Sequence, residues 1–334
     1  LIYRLRDGET LTEPTRLIVI CGPTASGKTA AAIDLAERVD GEIINADSVQ
    51  VYRLMDIGAA KPTAAERARV RHHLIDVVDP DEPFDAASFA RLGRAAVTDI
   101  VSRGKVSIVA GGTGLYIKAL LGGLAHRAAS DPGIRRRLQE DQRKEGPAAL
   151  HARLAQIDPA TAARVHPNDA VRIVRALEVY AATGQPLSAH HRGHRFGDAP
   201  FEAFTIGLDM PRETLYARID RRVEAMMAQG LEAEVRRLLA QGYGEDLKPM
   251  QSLGYRHMTA LIAGSVDRAE AVRTLQRDTR RFAKRQLTWF RANPRIRWVS
   301  PADIASLLPE IGAFLQGDGQ WRRIFESDPS DRSD

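Results

Sequence analysis

Cysteine is close to absent from this chain: among 334 residues there is one, Cys21. A single thiol excludes an internal disulfide and any site built from several thiolates, and it fits a reducing, cytoplasmic setting. Long apolar runs are missing too. No stretch approaches the roughly 20 residues that cross a bilayer, and the opening Leu1-Ile-Tyr-Arg-Leu-Arg-Asp7 has no signal-peptide core. Neither a membrane anchor nor export is expected. Internal repeats are lacking as well. What remains is the composition of an ordinary globular protein, 44% hydrophobic and 27% charged, long enough for one large or two modest domains.

Directly after the apolar run Leu17 to Cys21 stand Gly22, Pro23, Thr24, Ala25, Ser26, Gly27, Lys28 and Thr29, a complete G-x-x-x-x-G-K-[ST] phosphate loop. Its glycines let backbone N–H groups turn inward around phosphate oxygens, Lys28 adds a point charge, and Thr29 can hold Mg²⁺. The helix-like stretch Ala30 to Val39 would point its N-terminus at the same anion. Up to about residue 125, short apolar runs alternate with helical stretches: Leu17 to Cys21, Glu42 to Asn45, His73 to Val77 and Val106 to Ala110. That pattern predicts an α/β fold with a parallel sheet of the phosphate-loop NTPase type, in which ligands collect at the carboxyl ends of the strands.

From about His126 strand-like runs vanish. Helices are predicted over Ile134 to Glu145, Ala148 to Ile157 and Ala170 to Thr183, the last capped by Asn168 or Asp169 and ended by Gly184. A loop over residues 189 to 198 then leads to a return strand, Phe204 to Leu208. Helices follow over Arg212 to Gln229, Glu232 to Gln241 and Ala269 to Arg291. The domain reading is a core of residues 14–125 and 200–315 with C-terminal helices, a helical insertion at 126–199, and tails without fixed structure at 1–13 and 326–334.

The net charge is +5, but its placement matters more than its sum. Between Arg268 and Arg297 there are ten Arg or Lys against Glu270 and Asp278, a local balance of +8. Such a tract points to a polyanionic partner, or to a solvated basic helix face.

A phosphate loop alone leaves NTP hydrolysis, kinase transfer and use of a diphosphate as leaving group open. An NTPase usually carries a strand that closes on an Asp holding Mg²⁺. Here Val106 to Ala110 closes on Gly-Gly-Thr instead, and the nearest acid is Asp47. A carboxylate beside the loop suits proton removal as well as metal holding, although a lone Asp can equally be a cap or turn residue. His190, His191 and His194 lack a cysteine or carboxylate that would complete a metal site. Trp289 and Trp298 could stack on bases, and an amphipathic segment more often packs such residues in a core.

Several tracts in order carry a resemblance: Gly22 to Thr29, Asn45 to Tyr52, Met55 to Pro62, His73 to Asp76, Gly111 to Tyr116, His166 to Asp169, Arg175 to Glu178, Gly254-Tyr255 and Ala283 to Gln286. Together they resemble the tRNA dimethylallyltransferases over nearly the whole chain. With one cysteine there is no counterpart of the eukaryotic members' zinc finger, and the likeness is to the bacterial form.

The resemblance implies transfer of a dimethylallyl group from dimethylallyl diphosphate to the exocyclic amine (N6) of adenosine at tRNA position 37, beside the anticodon, with release of diphosphate. It implies Asp47 as general base, Thr113 as the residue positioning the amine, and Lys28 with Mg²⁺ at the leaving group. The anticodon stem-loop would be met by Asp47, Ser48, Val49, Gln50, Thr113, Arg135, Arg172, Arg175, Gln251, Arg280, Arg281, Lys284 and Arg285. Some members carry Arg where this chain has Gln251. Either Gln251 reads the RNA through its amide or Arg256 takes over, so Arg256 falls to diphosphate or to RNA. A cytoplasmic monomer is expected. An ATP-using kinase shares the loop but needs the missing strand-end acid, and a relative that prenylates free adenine nucleotides changes only the acceptor.

Overall fold

The computed structural model describes residues 15–123, 131–193 and 201–317. The tails read from sequence and His194 lie outside these. The chain divides into two compact units, one of residues 1–121 with 200–334 and one of 122–199.

In the first unit the strands are β1 (Thr15–Cys21), β2 (Gly41–Asn45), β3 (His72–His73), β4 (Val106–Gly111), β5 (Phe201–Leu208) and β6 (Arg297–Val299). They form one sheet in the order β3-β2-β4-β1-β5-β6, and each neighbouring pair is parallel. Parallel strands covered on both faces need near-continuous apolar sequence. β1 meets that demand: Leu17 to Cys21 are all fully buried. Helix α1 (Lys28–Arg38) buries Ile33, Leu35 and Ala36 against the sheet core. Next come α2 (Ala64–Arg69), α3 (Ala86–Ser102) and α4 (Gly114–Gly122). Asp85 caps α3 by accepting from the Ser88 N–H.

The second unit consists of α5 (Pro132–Glu145), α6 (Pro147–Ile157), α7 (Pro159–Ala162), α8 (Ala170–Thr183) and α9 (Leu187–Gly193). Its own core includes Leu138, Leu150, Leu154, Ile173 and Leu177. Asp169 caps α8 by accepting from the Arg172 N–H at 3.2 Å, and Gly184 closes the helix in the left-handed region. Part of the stretch expected as loop, residues 189 to 193, is helical, because Pro186 starts a short helix where Leu187 can pack.

The first unit closes with α10 (Arg212–Gln229), α11 (Leu231–Ala240), α12 (Tyr255–Ile262), α13 (Arg268–Arg291) and α14 (Leu308–Gln316). Glu234 on α11 is 2% exposed and organises one loop. It accepts from the N–H groups of Asp56, Ile57 and Gly58 at 3.1, 2.8 and 3.1 Å, and from the Tyr255 hydroxyl at 2.8 Å. Gly58 lies so close to the Tyr255 ring that a Cβ there would sit 2.5 Å from it.

The expected strand over His73 to Val77 is a correction. Only His72 and His73 pair with β2, because Leu74 and Asp76 take φ of 62° and 57° and turn the chain out of the ladder. Asp76 is held there by Arg67 at 2.8 Å and by Lys61, whose side chain is 2% exposed.

Candidate functional site

The sheet order brings the carboxyl ends of β1, β4 and β2 side by side, and a cavity of about 700 Å³ opens above them. Its floor is the loop after β1. Ala25 sits at φ 63° and Gly27 at φ 94°, so successive peptides alternate in direction and α1 begins at Lys28. As a helix start, Lys28, Thr29 and Ala30 have N–H groups with no intrahelical acceptor, and all three residues line the cavity. Gly22, Pro23 and Ser26 form the back of the loop and do not line it.

Lys28 Nζ donates to the Pro23 carbonyl at 2.6 Å. Enclosure by protein lowers its pKa from 10.5 to about 8; Arg222 adds to the lowering, and Asp47 and Cys21 oppose it. An ammonium so placed is short of counter-charge, as an anion-binding group should be. Behind it, burial pushes the Cys21 thiol up to about 12.

Thr24 lines the cavity too, and its N–H donates to Gln286 Oε1 at 2.8 Å.

Asp47 follows β2 and Thr113 follows β4. Asp47 Oδ1 accepts from the N–H groups of Val49 at 2.8 Å and Gln50 at 3.2 Å, a local turn that leaves Oδ2 without a hydrogen bond among the described residues. Thr113 Oγ1 accepts from the Ser48 N–H at 3.1 Å, which keeps its own O–H available to donate. The two strand ends touch closely: a Cβ on Gly111 would lie 2.1 Å from the Ala46 carbonyl oxygen, so only glycine fits. Asp47, Ser48, Val49, Gln50 and Thr113 all line the cavity. Gln50 Nε2 ties its wall to the Ala59 and Ala60 carbonyls at 3.0 and 3.1 Å.

Helix α10 supplies three cations that sequence reasoning missed: Arg218, Arg221 and Arg222 line the cavity at spacings of three and four. Arg218 leans over the loop, its Nη2 3.4 Å from where a Gly27 Cβ would be. Burial lowers the Arg222 guanidinium's pKa, and the charge of Asp47 raises it. The R-x-x-R-R spacing within Arg212 to Gln229 was the available signal, but it does not say which way that face points.

Gln251, Arg256 and Arg285 also line the cavity. Arg256 pairs with Asp278 at 2.7 Å, and Gln251 Nε2 donates to the Glu245 carbonyl. On α13, Arg280 is paired with Asp220 and lies off the cavity lining, as do Arg281, 3.6 Å from Asp278, and Lys284. In the second unit Arg135 and Arg175 both donate to Glu178, which is fully buried, at 2.9 Å each. Arg172 lies 3.4 Å from Asp169. Trp289, read as core, is 44% exposed and packs against Gly114. Among the described residues no group of three His, Cys, Asp or Glu could hold a metal ion.

Chemically, the cavity joins a cationic floor for phosphates to a wall that presents the Asp47 carboxylate and the Thr113 hydroxyl. Such a site can bind a diphosphate ester and deprotonate a nucleophile that attacks its carbon.

Comparison with known proteins gives a consistent answer. The family model described as IPP transferase matches residues 50–293. A tRNA dimethylallyltransferase of Syntrophobacter fumaroxidans is 55% identical over 314 residues, covering 92% of this chain and 92% of that one. Its counterpart in Geobacter sulfurreducens is 54% identical over 301 residues, 90% of this chain and 97% of that one. Among solved structures, a tRNA isopentenylpyrophosphate transferase of Bacillus halodurans matches with a TM-score of 0.67 at 40% identity, covering 90% and 96% of the two chains. A eukaryotic dimethylallyltransferase acting on tRNA matches with a TM-score of 0.73 at 28% identity, covering 88% and 75%.

Proposed function

Because this chain belongs to the IPP transferase family, we propose that its cavity is where a dimethylallyl group passes from dimethylallyl diphosphate to a tRNA adenosine. The acceptor is the exocyclic N6 of adenosine 37, beside the anticodon. The observation that carries this reading is one cavity lined by the phosphate loop, Asp47 and Thr113 together.

The N6 lone pair attacks the first allylic carbon, the carbon–oxygen bond breaks, and its electron pair leaves on diphosphate. Asp47 Oδ2 takes the N6 proton. An aromatic amine is a weak base, so that proton need leave only as the new bond forms. Thr113 donates its O–H toward the adenine and orients it. Lys28, the N–H groups at the start of α1, Arg218 and Arg222 stabilise charge that grows on the diphosphate.

Mg²⁺ fits the donor set. This ion is usually bound by one or two protein oxygens plus phosphates and water, and Thr29, which carries a hydroxyl, lines the cavity at that end of the loop. Bound there, it would further neutralise the leaving diphosphate.

The target base is stacked within an anticodon loop and must be extruded to reach Asp47. Its backbone would be held by Arg281 and Lys284 on α13, by Gln251, Arg256 and Arg285 of the cavity lining, and by Arg135, Arg172 and Arg175 of the second unit. No described helix is long and apolar enough to cross a membrane. The enzyme works as a cytoplasmic monomer.

The test is transfer of labelled dimethylallyl groups by purified protein to unmodified tRNA, with AMP and ATP-dependent phosphorylation assayed alongside. Transfer that requires the anticodon stem-loop is expected. Activity on AMP alone, or phosphorylation without tRNA, would overturn the reading.

A further inference from the structure

Gln286 stands on α13 next to Arg285 and, like it, borders the cavity, while Leu287 packs inward. It is 7% exposed, and both ends of its amide are used. Oε1 accepts from the Thr24 N–H at 2.8 Å, and Nε2 donates to the Gly112 carbonyl at 2.9 Å. Thr24 belongs to the loop that grips the leaving group. Gly112 precedes Thr113, whose hydroxyl anchors Ser48 next to Asp47. One side chain therefore bolts the diphosphate floor to the acceptor wall, and both to the helix that bears the basic tract.

The chemistry of the position is restrictive. An amide presents one acceptor and a donor side by side, which Thr24 and Gly112 require in that order. A carboxylate would satisfy Thr24 and oppose the Gly112 oxygen. Asparagine is shorter by one methylene and would reach at most one partner. The seat is also tight: a Cβ on Gly112 would lie 2.3 Å from Gln286 Nε2.

We propose that Gln286 is a positioning residue that sets the distance between the allylic carbon and the acceptor amine. It acts by fixing the two loops that meet the substrates, its amide being engaged by both. The inference rests on the prenyl-transfer reading above. Displacement needs the reacting atoms held in near-attack geometry, and a misplacement of about 1 Å can cost about 100-fold in rate. Binding of each substrate alone does not depend on that spacing.

Wild type, Q286A and Q286M are compared for kcat and KM with both substrates, for tRNA affinity by anisotropy, and for melting temperature. Methionine keeps the length and bulk of the side chain and loses both hydrogen bonds. The expected result is a fall in kcat of about 30- to 100-fold in both variants, with KM values and tRNA affinity within about threefold of wild type. Recovery of kcat in Q286M would mean that Gln286 only fills space, and would overturn the proposal. So would a kcat within about threefold of wild type in Q286A, or a loss confined to KM. A wild-type protein that transfers nothing to tRNA would instead overturn the proposed function.

Discussion

Asp47 has two oxygens and commits one of them to the backbone, and that division separates its two roles. D47N keeps an oxygen for the Val49 and Gln50 N–H groups and loses the ability to take a proton. Its kcat should fall by about 10²- to 10⁴-fold with melting temperature and tRNA affinity unchanged. D47A loses the turn as well and should also be less stable by about 1 kcal/mol in denaturant titrations. Equal activity in D47N and wild type would remove Asp47 from the chemistry. Lys28 allows a second prediction. Its folded pKa, about 8, is below the ordinary 10.5, so the charged form is disfavoured in the free protein. That group subtracts stability below pH 8, and the deficit fades as pH rises toward 10.5. A bound diphosphate reverses the bias and pulls the proton back. Binding above pH 8 should therefore take up protons and weaken as pH rises, seen as a buffer-dependent heat in calorimetry. Lys28, Asp47 and Thr113 were legible because each stands in a tract placed at the end of an apolar run. Arg222 was not, since its role depends on which face of a distant helix meets the phosphate loop.

At the level of elements, a helix announces itself by local rules. The extents of α8 and α10 follow from their apolar spacing and from Asp169, Gly184 and Gly230 at their ends. The run His73 to Val77 fails for the opposite reason. Its apolar residues suit a strand, but Lys61 and Arg67 hold Asp76 out of the ladder, and nothing within the run reports them. β6 is three residues long and too short to show a period. Glu234 makes a similar non-local device. Removing it takes the acceptor from three part-buried N–H groups and from the buried Tyr255 hydroxyl, and E234A should cost about 3 kcal/mol in denaturant unfolding. Because the 58–60 segment lines the cavity, G58A, which drives a methyl into the Tyr255 ring, should disturb activity as well as stability.

For the molecule as a whole, the basic tract is less free than its sum suggests. Of its ten cations, Arg268, Arg273, Arg277, Arg280, Arg281, Arg291 and Arg297 are all in ion pairs. Affinity for tRNA should fall with salt, but with a slope set by the few phosphates actually neutralised. About four to six contacts would give a log–log slope of about −3 to −4, measurable by filter binding over a series of KCl concentrations. A slope near zero would assign the tract to internal pairing alone. The order of the sheet was not readable from sequence, because parallel pairing is decided by crossovers rather than by any strand's own residues. It puts β1 between β4 and β5, and so seals the last residue of β1. That residue is Cys21, enclosed and held as a thiol. The folded protein should ignore maleimides and other thiol reagents, so a cysteine introduced at any chosen surface position would take a fluorophore or spin label without competition.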